Sequence, residues 1–258
     1  MYIIDSHTHL FDKAFDEDRD DVVATCVLSG VQKMVLPCCS PKSLVGIEYL
    51  CGNYPDNCFP TLGLHPEDMD DDPDAQLEKI FSTEFSSPIV AVGEIGIDLH
   101  YLKDNLDTQK RIFDIQIRKA IELDLPIIIH CREAYNEVFD VLEPYRGKVR
   151  GIFHCFCGNA DEARRVLDFG GFHFGIGGGV TFRSAGATVA QIVRDIVPMD
   201  GVVLETDAPY LAPVPHRGKR NDSSLLRFVA HKIAELKGID VEDVIRITTE
   251  NSEKIFGI

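Results

Sequence analysis

No run in this 258-residue sequence approaches the roughly 18 consecutive apolar residues that a membrane-spanning helix needs. The chain enters an apolar strand at once, without the basic, apolar and small-residue pattern of a secretion signal, so a soluble cytoplasmic protein is expected. Positive charge is scarce: 26 Lys and Arg stand against 42 Asp and Glu, a net charge of -16. That balance excludes a protein that coats nucleic acid through a broad basic surface. It does not exclude a nucleic-acid enzyme, because bound divalent ions would supply positive charge where a phosphate sits, and carboxylate ligands inflate the negative count. Paired C-x-x-C spacing is missing too. Cys38-Cys39 and Cys155-Phe156-Cys157 do not form a structural zinc site, and reduced thiols are expected for the eight cysteines. Cys155 and Cys157, next to His154, read as packing residues before they read as soft ligands. Asn221-Asp222-Ser223 fits a glycosylation sequon that a cytoplasmic address makes irrelevant. There is no Pro-, Gly- or Ser-rich linker and no repeat, so one domain over 1–258 is expected.

What is present is a rhythm of short apolar runs and amphipathic stretches. It predicts strands over 2–6, 33–38, 59–64, 88–94, 126–131, 150–155, 172–177 and 201–206. Between and after them it predicts helices near 16–30, 41–52, 73–83, 107–124, 134–143, 159–169, 187–197, 223–237 and 240–250. The strands are continuously apolar and do not alternate, the mark of a parallel sheet covered on both faces. Eight strand–helix units of this size predict a single (β/α)8 TIM-like barrel, with a doubly wound open sheet as the alternative. The barrel is favoured because every candidate ligand falls at the C-terminal end of a strand, and a barrel converges those ends on one mouth.

The first such ligands are His7 and His9, which alternation along an extended chain points the same way. A lone His-x-His is weak, but later apolar runs end in the same kind of residue: His65, Glu94, His130, His154 and Asp207. Taken together, His7, His9, Glu94, His130, His154 and Asp207 mix imidazole and carboxylate without thiolate. That set suits zinc, magnesium, manganese or iron without choosing among them. Six ligands are too many for one tetrahedral ion and suit two divalent ions, with Glu94 bridging at the C-terminal mouth. Two such ions would polarise an electrophile and acidify water, and Asp207 could also accept the water's proton, so Glu94 and Asp207 are the catalytic candidates. The chemistry indicated is hydrolysis.

Four residues bear on the substrate. His65 could contact a phosphate or leaving-group oxygen, or simply terminate strand 3 with Pro66. Arg132 would face the same mouth and could clamp a phosphate, or pair with Glu133 to steer the loop. Arg217 and Lys219 belong to the one dense basic cluster, His216 to Arg220, which follows strand 8 where barrels often bind phosphate and favours a phosphodiester over a neutral amide. The acidic run Glu67 to Asp74 reads as a solvated loop entering a helix. Gly175 to Gly179 lacks both the dinucleotide-binding glycine spacing and the phosphate-loop lysine, and reads equally as backbone squeezed beside a metal pocket.

The ordered set Asp5-Ser-His-Thr-His-Leu10, Gly63-Leu-His-Pro66, Gly93-Glu-Ile-Gly-Ile-Asp98, Ile129-His-Cys-Arg132, His154-Cys-Phe156, Leu204-Glu-Thr-Asp-Ala-Pro-Tyr-Leu211 and Arg217-Gly-Lys-Arg-Asn221 spans essentially the whole chain. In it the sequence resembles the TatD-family metal-dependent deoxyribonucleases of the amidohydrolase-like metallohydrolase superfamily. The resemblance implies a TIM-like barrel, a divalent metal pair held by the six residues above, and 3'-5' exonuclease action on single-stranded or frayed DNA. It also implies that Asp98 and Glu205 orient the metal-bound histidines. Some members of the family are described as removing D-amino acids from tRNA, which leaves an esterase or amidase as the alternative, with a non-catalytic metal-binding barrel behind it. The sequence departs from the family pattern at Phe11-Asp12, Leu99-His100-Tyr101, Cys157 and Asp222-Ser223, all in stretches that would shape the substrate pocket.

Overall fold

The computed structural model describes residues 1–183 and 186–258. Its eight strands are β1 (Ile3–Asp5), β2 (Val31–Leu36), β3 (Cys58–Leu62), β4 (Ala91–Asp98), β5 (Ile127–Arg132), β6 (Gly151–Phe153), β7 (Phe172–Ile176) and β8 (Val202–Leu204). Its helices are α1 (Arg19–Leu28), α2 (Leu44–Asn53), α3 (Pro73–Phe81), α4 (Leu106–Glu122), α5 (Tyr135–Leu142), α6 (Ala160–Phe169), α7 (Ala187–Asp195), α8 (Leu226–Lys237) and α9 (Val241–Phe256). The strands pair in chain order, each parallel to the next. The ring closes where the Ser6 amide donates to Leu204 O at 3.0 Å and the Asp207 amide donates to His7 O at 2.9 Å. The fold is therefore the (β/α)8 barrel and not the open sheet.

Alternation along each strand separates two apolar layers. Met34 and Leu36, Ile127 and Ile129, and Val202 and Leu204 pack outward in the large cluster that the helices cover. Their neighbours Val35, Ile128, Ile152 and Val203 form a second cluster with Ile255 and Phe256, so the end of α9 packs against the barrel interior. Carried two residues further, that inner parity reaches His130 from Ile128, His154 from Ile152 and Glu205 from Val203. The layer that fills the barrel below thus sets the facing of the polar groups above it.

Several strands end earlier than expected. β1 stops at Asp5, β3 at Leu62, β6 at Phe153 and β8 at Leu204, so His7, His9, His65, His154 and Asp207 lie on the first residues of the following loops. β4 departs the other way: it covers 91–98 instead of 88–94, which puts Glu94 inside the strand. Its pairing with β5 shifts register between Val92 and Ile95. There the backbone leans toward the end of β2, with Cys38 N donating to Gly93 O at 3.1 Å and Glu94 N donating to Cys38 O at 2.9 Å. The bulge turns a mid-strand carboxylate into the mouth. It also requires glycine nearby, because a Cβ on Gly63 would sit 2.4 Å from Gly93 C.

Candidate metal centre

The predicted ligands meet around Glu94, which is buried with 3% of its surface exposed. Its two carboxylate oxygens face two groups, joined where the His7 and His154 rings stack with centroids 3.8 Å apart. Oε2 lies 3.2 Å from His7 Nε2 and 3.9 Å from His9 Nε2, and Asp207 Oδ1 closes this side at 3.7 Å and 3.3 Å from the same two nitrogens. Oε1 lies 3.0 Å from His130 Nδ1, 3.0 Å from His154 Nε2 and 3.3 Å from His65 Nε2. All six expected ligands and His65 are therefore brought together. Three compact sets, His7–His9–Glu94, His7–His154–Asp207 and His65–Glu94–His130, each have ligand atoms within 4.8 Å of one another and could hold an ion.

The donors fit divalent cations. The Nε2 atoms of His7 and His9 are 3.1 Å apart, a spacing two lone pairs take readily when they share one cation. The charge balance has the same sense. Burial pushes Glu94 up, but the imidazoles of His154, His65 and His7 together outweigh it and hold the carboxyl well below its usual range. Burial likewise raises Asp207, yet the His9 hydrogen bond and the neighbouring imidazoles leave it lowered. Burial opposes charge on His154, but Glu94 and Glu205 overcome it and raise its pKa. His7 is pushed down to about 3, chiefly by burial and then by His154. The carboxylates thus favour protons on His9, His130 and His154 while His7 stays neutral, a demand for positive charge that divalent ions would meet.

His65 is engaged at both ring nitrogens, one in a cap at the loop after β3 and the other at Glu94. Nδ1 accepts from the Glu67 amide at 3.2 Å and caps the short 3-10 turn Pro66–Asp68, while Nε2 reaches Glu94. Asp98 lies at the end of β4 with Oδ2 3.0 Å from His130 Nε2, a carboxylate–histidine contact that leaves Nδ1 to the centre. A fourth set, Glu67–Asp98–His130, also has the spacing to hold a metal. However, a neutral His130 that binds at the centre through Nδ1 carries its proton on Nε2, and that proton is directed at Asp98. Glu205 is fully buried, with Oε1 3.6 Å from His154 Nδ1 and accepting from the Cys155 amide. A Cβ on Gly175 would stand 2.1 Å from Glu205 Oε2, and one on Gly178 2.0 Å from Leu211 O. The glycine stretch is squeezed backbone beside the pocket.

The remaining expectations divide. Arg132 does not pair with Glu133, which instead meets His100 Nδ1 at 2.7 Å; the guanidinium lies 4.7 Å from the centre of the Tyr101 ring. Arg217 is exposed over Phe182 at 4.4 Å and Lys219 is exposed, whereas Arg220 is engaged in a two-pronged pair with Asp18 at 2.9 and 2.6 Å. The basic cluster therefore offers fewer free cations than its sequence suggests. Cys155 and Cys157 belong to none of the metal-capable sets, and Cys157 is exposed instead of packed. The acidic run is solvated, with Asp72 capping α3 through the Ala75 amide at 3.0 Å.

Two residues carry more than their sequence positions suggested. Asp5, fully buried, accepts from the amides of His7 and Thr206 at 3.2 and 3.0 Å and from the Thr206 and Ser223 hydroxyls at 2.6 Å each. It ties the His-x-His segment to the Asp207 segment. Cys39 places its sulfur 3.7 Å from His9 Nδ1 and 3.9 Å from Glu94 Oε2, against the metal-capable cluster.

A parallel (β/α)8 barrel whose mouth gathers buried imidazoles around one carboxylate with both oxygens engaged is the framework of a metal-dependent hydrolase. The family model described as "TatD related DNase" matches residues 4–257, and the chain belongs to that family. It is 36% identical over 257 residues to a metal-dependent hydrolase of Bacillus subtilis, YabD, covering 99% of each chain. It is 30% identical over 261 residues to the 3'-5' ssDNA/RNA exonuclease TatD of Citrobacter rodentium, covering 99% of this chain and 98% of the relative. Among solved structures, the TatD homologue YJJV of Escherichia coli superposes with a TM-score of 0.88 at 26% identity, covering 99% of this chain and 98% of that one.

Proposed function

We propose that this protein hydrolyses terminal phosphodiester bonds of single-stranded nucleic acid, DNA foremost, in the 3'-5' direction. The observation that carries the reading is the division of Glu94: His7, His9 and Asp207 gather at Oε2, and His130, His154 and His65 at Oε1. Two ions would be held by His7, His9, Glu94, His130, His154 and Asp207, with Glu94 common to both. Bound there, a divalent pair supplies Lewis acidity to the phosphoryl group and acidifies water. Asp207, kept ionised by its imidazole neighbours, takes up the water's proton. His65 presents Nε2 to a phosphate oxygen while its cap holds the ring still. Arg132, Arg217 and Lys219 draw the backbone across the mouth, and Asp98 and Glu205 steady His130 and His154. The relatives named as ssDNA/RNA exonucleases support the substrate class. Eight free cysteines accord with a reducing compartment, and we place the activity in the cytoplasm.

The test is turnover of end-labelled single-stranded DNA by the metal-reconstituted protein, beside a D-aminoacyl-tRNA. Stepwise shortening of the DNA from its 3' end is expected. Ester cleavage with intact DNA would move the reaction from phosphorus to carbon and overturn the nuclease reading.

A further inference from the structure

The carboxylate that steadies His130 also holds the loop that follows β4. Asp98 Oδ2 lies 3.0 Å from His130 Nε2, placed to accept its proton, and Oδ1 accepts from the amides of His100 and Tyr101 at 2.9 and 2.8 Å. The Tyr101 backbone is thereby fixed to the same residue as a candidate ligand. The residue is nevertheless 60% exposed. Arg132 stands opposite Asp98 in the β4–β5 register and lays its guanidinium 4.7 Å from the Tyr101 ring centre. His100 meets the same ring edge-on at 4.5 Å, and its own Nδ1 is held by Glu133 at 2.7 Å. A large exposed aromatic, supported by a cation and pinned at its backbone, belongs to neither apolar cluster among the described residues.

We propose that Tyr101, supported by Arg132, is the stacking surface for the base of an unpaired nucleotide next to the scissile bond. The inference rests on the nuclease reading and adds a residue that selects single strands. Every base has a π-face to offer, so stacking is tolerant of sequence. A paired base inside a duplex has both faces covered by its neighbours, and an end pair offers only its outer face. Arg132 supports the ring by cation–π attraction and leaves donors free for the flanking phosphate, so one residue pair meets base and backbone together.

The test uses the metal-loaded full chain. Tyr101→Ala should raise KM for a single-stranded oligonucleotide about 5- to 150-fold, the range of one lost base stack, with a much smaller change in kcat. Tyr101→Phe should restore wild-type KM, since the ring acts and the hydroxyl does not. A second measurement titrates the protein into a cleavage-resistant phosphorothioate oligonucleotide carrying 2-aminopurine near its 3' end. Wild type and Tyr101→Phe should quench the fluorophore and Tyr101→Ala should not. An abasic residue at that position should erase most of the KM difference between wild type and Tyr101→Ala. If Tyr101→Ala shortens DNA with wild-type KM and full quenching, the stacking surface is refuted and the nuclease reading stands. If the wild-type protein neither shortens nor quenches any oligonucleotide, the nuclease reading fails and takes the stacking surface with it.

Discussion

Asp98 Oδ2 lies 3.0 Å from His130 Nε2, so a residue closing β4 decides which ring nitrogen a residue on β5 turns toward the centre. Asp98→Asn keeps the shape and removes the charge, and the amide could turn its NH2 toward the imidazole. Metal affinity is expected to fall about 10- to 100-fold, as it does for the hydrogen-bonding partners of metal-bound histidines. Titration with zinc or manganese by calorimetry checks this, and unchanged affinity would leave Asp98 with the loop alone.

Glu94→Gln removes the one carboxylate shared by both sides of the cluster. Activity should drop on the order of a thousandfold or more. Bound metal per chain, read by elemental analysis after dialysis, should fall as well, while circular dichroism stays that of the barrel because Glu94 sits above the apolar layers. Retained turnover would remove Glu94 from the centre.

Arg217→Ala with Lys219→Ala should weaken oligonucleotide binding and flatten its dependence on salt, since each lost phosphate contact lowers the slope of log K against log salt by about 0.7 for a single strand. Equal binding by wild type and double variant at every ionic strength would show that the loop after β8 does not carry the backbone.

Gly175→Ala places a methyl group 2.1 Å from Glu205 Oε2 and 3.0 Å from His154 Cα, so the buried Glu205 carboxylate has to move. The expected cost is about 1–3 kcal/mol, typical of overpacking, read as a lower urea midpoint at unchanged slope. Metal affinity should fall with it, because Glu205 backs His154. A variant as stable as wild type would mean that the glycine is not required by the approach.

Stripping metal with a chelator should lower the melting temperature by roughly 5–10 °C relative to protein held in metal at about a hundredfold excess over Kd, and adding metal back should restore it. No shift in either direction would argue that the cluster binds no ion tightly.

Much of this architecture was legible because a barrel turns order along the chain into convergence in space. His7, His9, His130, His154 and Asp207 each follow an apolar run, and inner parity from residues such as Ile128 and Ile152 carries some of them into the mouth. What was not legible depends on contacts between distant segments. The bulge at Glu94 exists because Gly93 meets the end of β2, so strand periodicity alone put the residue at a strand end. Arg220 looked like one of several free cations until Asp18, 202 positions away, engaged it. Asp5 read as part of a motif, yet its partners Thr206 and Ser223 are 201 and 218 positions off. Tyr101 registered only as a departure in spacing, since nothing local says that Arg132 will support its ring.

The joint between Asp5 and Thr206 also orders events during synthesis. His7 and His9 leave the ribosome first of all the ligands, and Asp207, their partner across 3.7 and 3.3 Å, leaves last. A nascent chain therefore carries an unfinished metal cage through nearly the whole of its translation. Any ion it captures early has only the first pair of imidazoles to hold it. The complete cage, and with it the hydrolytic centre, comes into being only as the last strand docks against the first. The proposed hydrolytic centre is thus incomplete until the barrel is shut.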